Sequence, residues 1–227
     1  MGGLGLMLRR RAIQAHPTAG LNVKFYNRIV GDGKAYIITD YYPSNYDSVE
    51  IIFYMTSTGG MVLGERMTMP FLILAYSAYN TYTQWDTSST VNLKWTPKSL
   101  APLYVGMEIS GGTYRARQYT PGIGDTDSTY NSTIVNYGNS APAERVATTP
   151  LRVFASTADN STSLDNRIFK GSIYSIKITD SRTGEIKCHL RPAEMDGEIG
   201  MYNVVSGMFF KNANTSGQFL ADDNSDV

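Results

Sequence analysis

The feature that most constrains this chain is a long succession of short, strand-like segments, punctuated by glycine pairs and prolines, with no helical periodicity of comparable length between them. Ser48–Thr56 is the clearest case: Val49, Ile51, Phe53 and Met55 occupy one face of an extended segment, and Glu50, Ile52 and Tyr54 the other. Asn22–Val30 and Lys34–Asp40 flank Gly31-Asp32-Gly33, which reads as a hairpin connection. Phe71–Ala78, Val91–Trp95, Leu103–Ile109, Thr113–Tyr119, Leu151–Ser156 and Ile168–Thr179 continue the series, broken by Gly59-Gly60, Gly111-Gly112, Pro121-Gly122 and Pro142. Strands without intervening helices predict two packed antiparallel sheets, an all-β sandwich in one domain.

Composition narrows the function classes. The 227 residues carry 20 Lys+Arg against 20 Asp+Glu, so no net charge draws the chain to a polyanion, and a general nucleic-acid binder is excluded as an expectation. Charged residues are 18% of the chain, with 16 Tyr and 21 Gly, a surface built from neutral polar groups. The one cysteine, Cys188, cannot close an internal disulfide, so burial has to hold the fold. No window reaches the roughly 18 uncharged apolar residues of a membrane helix, since Met67–Ala78 is interrupted by Thr68 and Pro70; neither membrane insertion nor a secretory leader is expected. Leu4, Leu6, Met7 and Leu8 precede Arg9, Arg10 and Arg11, the reverse of a secretory signal.

The expected organisation is an N-terminal docking segment over 1–20, a sandwich over 21–221 and an acidic tail over 222–227. The first segment is too short to fold without a partner, which makes Leu4, Leu6 and Leu8 candidate apolar anchors and Arg9, Arg10 and Arg11 candidate contacts to an acidic partner groove. Thr120–Arg145, rich in Gly, Asp, Ser, Thr and Asn, reads as a long surface loop with a short strand near Ile134.

Gly171-Ser172-Ile173-Tyr174 through Asp180, a turn at Arg182-Thr183-Gly184, and Glu185 through Arg191-Pro192 resemble the closing hairpin of the laminin-G-like, concanavalin A-like jelly-roll lectin family. Gly200-Met201-Tyr202, Val205 to Phe210, Asn212-Ala213-Asn214 and Gly217-Gln218-Phe219 follow in the order of that family's ending, and Ala35–Pro43 with Val49–Phe53 is similar to its opening. Asn203 and Asp40 depart from the family's aspartate and glycine. Tyr202, Phe209, Phe210 and Phe219 are expected in the core, with Gly200 and Gly207 in tight turns. The opening Leu4 to Arg11 resembles that of compact members from bacteriophages and mobile elements of Bacteroides-type gut bacteria. That resemblance implies a non-catalytic virion surface protein, a head fibre, decoration subunit or tail appendage: residues 1–20 would dock on capsid or tail proteins, and a homo-oligomeric jelly roll would face outward toward a host glycan. A bacterial lectin, extracellular or on the cell surface, is the alternative, and a glycoside hydrolase the third reading.

For catalysis, Glu194, Asp196 and Glu198 have the spacing of paired carboxylates, but Gly197 and the preceding Arg191-Pro192 make them a turn. Cys188 and His189 are successive strand residues on opposite faces and form no dyad; Cys188 is expected in the core and His189 at the surface. No metal or cofactor is expected; Asp125, Asp127, Asp159 and Asp165 are the weak candidates for calcium. Tyr76, Tyr79, Tyr82, Trp85 and Trp95 could stack on sugar rings, or fill the sandwich or a subunit contact, and both readings stand at this point.

Overall fold

The computed structural model describes residues 22–56, 59–67, 71–77, 80–85, 91–94, 103–110, 113–119, 135–136, 143–159 and 161–223. At 72, 74–77, 80–85, 91–94, 103–110, 113–119 and 135–136 it describes the backbone. Within them every pairing between two strands is antiparallel, a single isolated bridge from Met61 to Ile168 is parallel, and no helix occurs. The strands are β1 (Val23–Phe25), β2 (Arg28–Asp32), β3 (Ile37–Ile38), β4 (Asp47–Met55), β5 (Gly60–Glu65), β6 (Phe71–Ser77), β7 (Asn80–Trp85), β8 (Val91–Lys94) and β9 (Leu103–Ser110). They continue as β10 (Thr113–Tyr119), β11 (Val135–Asn136), β12 (Arg152–Val153), β13 (Lys170–Asp180), β14 (Ile186–Met195), β15 (Glu198–Asn203), β16 (Met208–Lys211) and β17 (Phe219–Asp222).

The larger sheet runs β11-β10-β9-β4-β13-β14-β15-β16, with β2 and then β17 beside the first half of β13 and β1 beside the end of β14. The smaller runs β3-β12-β5-β6-β7-β8. Alternation decides which faces meet: Val49, Ile51 and Phe53 of β4 are fully buried, as are Ile37, Val153, Leu63 and Ile73 of the smaller sheet.

Along β13 a single alternation fails. Ile173, Ile176 and Ile178 are all fully buried, although Ile173 has the opposite parity. A register shift between Ile173 and Ser175 reverses the phase, so both halves of the strand present isoleucine to the core.

Gly31-Asp32-Gly33 is a sheet switch rather than a hairpin connection. β2 pairs with β13 and β17 of the larger sheet, whereas β3 pairs with β12 of the smaller. Gly33 takes φ 88°, and Asp32 Oδ1 accepts the Lys34 and Ala35 amides at 2.8 and 2.9 Å while Oδ2 accepts that of Gln218 at 3.0 Å. The side-chain oxygens supply the acceptors that a hairpin ladder would have supplied. Gly200 also differs from expectation: it lies inside β15, where a Cβ would meet the Phe210 carbonyl and stand 2.9 Å from Phe209 Cζ. Its missing side chain permits close approach, whereas Gly207, at φ 75°, does form a turn. Tyr202, Phe210 and Phe219 are buried; Phe209 is half-buried. Asp222, placed by sequence in the tail, ends β17 with its carboxylate on Arg28 at 2.7 Å.

Phe169 stands where the chain leaves the smaller sheet for β13. It is fully buried, with Phe53 edge-on at 5.8 Å and Phe154 tilted at 5.8 Å; Phe154 in turn meets Phe219 at 5.0 Å. A Cβ on Gly60 would stand 2.6 Å from Phe169 Cα, and one on Gly171 2.6 Å from its Cζ. Phe169→Ala is expected to cost about 3–5 kcal/mol through the cavity it opens. Gly171→Ala is expected to cost about 3 kcal/mol or more, because its Cβ would also press on the Tyr54 carbonyl. Gly59→Ala, at φ 84° with open space around it, should cost only the left-handed backbone term of about 1–2 kcal/mol. Denaturant unfolding of the three variants checks the order; a Gly59 variant as damaging as Gly171→Ala would refute the packing account.

Candidate functional site

On the smaller sheet, Ile37, Val153, Leu63 and Ile73 are paired in register and buried. The neighbouring row, Ile38, Arg152 and Gly64, therefore belongs to the outward face, and its register continues through the backbone of Leu72 to Gln84. β12 is only Arg152 and Val153 because Phe154 takes φ 65° and turns the chain away. Residues 155–159 and 161–167 then double back before Phe169 donates its amide to the Phe154 carbonyl at 2.8 Å.

That returning segment cradles Arg152. Nη1 donates to the Ser156 and Ser163 carbonyls at 3.4 and 3.2 Å, and Nη2 to the Thr162 carbonyl at 2.8 Å. Burial lowers the guanidinium pKa, with Tyr36 and Glu65 acting against that shift. Ser161 and Ser163 share a hydroxyl hydrogen bond of 2.8 Å on the exposed side of the same segment, and Ile38 is 39% exposed beside Arg152.

At the end of β5 the charges are closed on one another. Asp165 accepts Arg167 Nε and Nη2 at 3.0 and 2.7 Å and Arg66 Nη1 at 3.2 Å, while Arg66 Nη2 pairs with Asp159. Burial pushes the Asp165 carboxyl upward, and the arginines outweigh it, so the net shift is down. Asp159 and Asp165, the weak calcium candidates, are salt-bridge acceptors here. Glu65, fully buried, accepts the Thr149 hydroxyl at 2.5 Å and the Met67 amide at 2.7 Å through Oε1; its Oε2 and Arg66 Nε have no hydrogen-bond partner.

A second acidic group closes the opposite strands. Asp47 of β4 and Asp180 of β13 face each other in register, both buried. Burial pushes the Asp47 carboxyl up to about 6 despite hydrogen bonds from the Ser44 amide at 2.7 Å and the Tyr41 hydroxyl at 2.8 Å. Asp180 is held down at about 2 by Arg182, which also pairs with Glu144 and covers the Tyr46 ring at 4.2 Å. Two neighbouring carboxylates with divergent pKa values have the electrostatics of an acid–base pair, but at 3% and 5% exposure neither is open to a substrate.

The remaining catalytic candidates are placed apart. Glu194 lies on β14 and accepts the Tyr26 hydroxyl at 2.6 Å; Asp196 and Gly197, at φ 54° and 81°, make a two-residue hairpin turn; Glu198 opens β15, 3.6 Å from Lys211 Nζ. Cys188 is fully buried, its thiol pushed up to about 12 by burial. His189 is partly buried rather than a surface residue, and burial lowers its pKa.

Of the aromatic candidates, Tyr76 belongs to β6, and Tyr82 and Trp85 to β7. Trp85 is in register with Phe71 and through it with Glu65, while Tyr82 lies opposite Leu74 and Asn92. Tyr79, Trp95, Asp125, Asp127 and the whole 1–20 segment, with Leu4, Leu6, Leu8, Arg9, Arg10 and Arg11, lie outside the described residues. Sequence reasoning missed Arg152. The available signal was a charged residue between Leu151 and Val153, which places it on the side of the strand away from the core.

No protein-family model matches the chain, and neither does any curated protein sequence. Among solved structures it is similar to a "putative carbohydrate binding protein" from Bacteroides ovatus ATCC 8483, with a TM-score of 0.56 and 7% identity over 90% of this chain. The match spans 62% of that protein's chain. A heptameric SAP-like pentraxin from Limulus polyphemus gives a TM-score of 0.49 at 8% identity, covering 77% of this chain and 93% of the pentraxin, too distant to carry weight. The fold is an antiparallel jelly-roll sandwich of the lectin-like kind.

Asp47 generates a pH prediction. Its folded pKa of about 6 exceeds the unfolded 3.8, so between these values the native state holds more protons, and Asp47 lowers stability as pH rises. Measured against Asp47→Asn, which cancels the opposing contribution of His189, wild-type unfolding free energy should decline by roughly 2–3 kcal/mol between about pH 4 and pH 7. Chemical denaturation of both proteins across that range checks it; parallel profiles would refute it.

Proposed function

We propose that the protein is a non-catalytic, carbohydrate-binding, lectin-like jelly roll. The observation that carries this reading is the outward face of the smaller sheet, where the Arg152 guanidinium, the exposed side of Ile38 and the Ser161 and Ser163 hydroxyls lie along one row and its adjoining segment. Hydrogen-bonding groups beside a small apolar surface suit the alternating hydroxyl and C–H faces of a sugar ring. The fold likeness to the Bacteroides ovatus protein supports carbohydrate as the ligand class. Binding is favoured over hydrolysis because, among the described residues, the one carboxylate pair with divergent pKa values is buried.

The same proposal extends to display. Residues 1–20, through Leu4, Leu6, Leu8 and Arg9 to Arg11, would dock the protein on capsid or tail proteins of a bacteriophage particle and present the sandwich to a host surface, as one copy of a homo-oligomer. This extension rests on the resemblance of the opening residues.

Two measurements test the two parts. The full-length chain on an array of neutral and acidic glycans should bind at least one glycan class with a Kd below about 1 mM, about −4 kcal/mol; silence across the array would reject the carbohydrate reading. In a phage-producing host, full-length protein should co-purify with particles and a chain lacking residues 1–20 should not; equal incorporation would reject the docking role.

A further inference from the structure

Three arginines of this chain use one geometry. Arg28 turns Nε and Nη2 on Asp222 at 2.7 and 3.1 Å, Arg167 on Asp165 at 3.0 and 2.7 Å, and Arg182 on Asp180 at 3.1 and 2.8 Å. In each, the parallel N–H bonds of the fork meet the two oxygens of a planar carboxylate. Arg152 departs from this pattern. Its terminal nitrogens meet three backbone carbonyls, and among the described residues its Nε has no hydrogen-bond partner and the side chain forms no ion pair. Among the described residues the buried side-chain nitrogens and oxygens without a partner are Glu65 Oε2 and Arg66 Nε, so Arg152 Nε keeps some solvent exposure.

We propose that Arg152 is the carboxylate-recognition residue of the sugar site, and that the ligand is an acidic glycan carrying a uronic-acid type carboxylate. This rests on the carbohydrate-binding reading above. The carbonyls of Ser156, Thr162 and Ser163 hold the guanidinium still, so its fork is oriented before a ligand arrives and little side-chain entropy remains to be lost. Carbonyl dipoles and the Glu65 carboxylate, which makes no ion pair with it, compensate the charge only in part, and burial still disfavours the cation. A ligand carboxylate facing Nε would complete the charge pair that each of the other three arginines has within the fold. Ile38, paired with Arg152 across β3 and β12, offers an apolar surface to the sugar's C–H face, and Ser161 and Ser163 offer hydroxyls at the rim. Because the chain has 20 basic and 20 acidic residues, a preference for acidic sugars cannot arise from net charge.

The experiment is calorimetric titration of the full-length protein with an oligogalacturonate, with its methyl ester and with a neutral galactan oligosaccharide of the same length. The acid should bind about tenfold or more tightly than the ester, the size of effect expected for a charge-assisted bidentate contact. Arg152→Gln should abolish that preference while leaving any neutral binding in place, and Arg152→Lys, which keeps the charge without the fork, should recover little of it. Equal affinity of the unaltered protein for acid and ester would overturn the proposal even if the variants fail to fold. So would a preference that survives in a folded Arg152→Gln protein. Ester and neutral sugar binding as well as the acid leaves the carbohydrate reading standing and rejects only the role of Arg152. Absence of binding to all three, together with a silent glycan array, rejects both.

Discussion

The packing of Phe169 between the two sheets is the contact on which the rest of the structure depends. Its ring lies against Phe53 of the larger sheet and against Phe154, beside the smaller one, while its backbone carries the chain from one to the other. Large aromatic rings supply much of the burial in a sandwich interior, but they need room where strands converge. Gly60 and Gly171 provide it: a methyl group at either position would overlap Phe169. The aromatic ring and the absent side chains form one unit, and neither has the same value without the other.

That unit also shapes the outward face. Phe154, in a left-handed backbone conformation, ends β12 after two residues, and its carbonyl accepts the Phe169 amide. Both ends of the intervening segment are thereby fixed in the core, and its middle must lie outside the sheet. There it wraps the Arg152 guanidinium with carbonyls and brings Asp159 and Asp165 onto Arg66. A strained residue inside the sandwich and a charged group outside it are two consequences of one chain path.

Much of this was legible in the residues. The alternation of β4, the closing hairpin of β13 and β14 and the burial of Tyr202, Phe210 and Phe219 appear as read, because each depends on neighbours within one or two strands. What was misread depended on distant partners. Gly31-Asp32-Gly33 has the local chemistry of a hairpin, and only the separate destinations of β2 and β3 make it a switch between sheets. Gly200 has the composition of a turn, yet it is required by the approach of β16. The partners of Asp159 and Asp165 were equally out of local reach, since Arg66 stands about a hundred residues away in the chain. Tyr76, Tyr82 and Trp85 belong to β6 and β7 of the smaller sheet, and Arg152 emerged because burial of Val153 and Leu63 fixes the outward row.

The sequence by itself determined that this chain makes sheets, roughly where its strands begin and end, and that neither a disulfide nor net charge directs its behaviour. Those properties follow from side-chain period, backbone freedom at glycine and the count of ionisable groups, all of which are local or additive. Only the tertiary structure decided which sheet each strand joins, which carboxylates face one another and which carbonyls close on Arg152. These outcomes depend on distances between residues far apart in the chain, and electrostatic and packing energies are functions of distance.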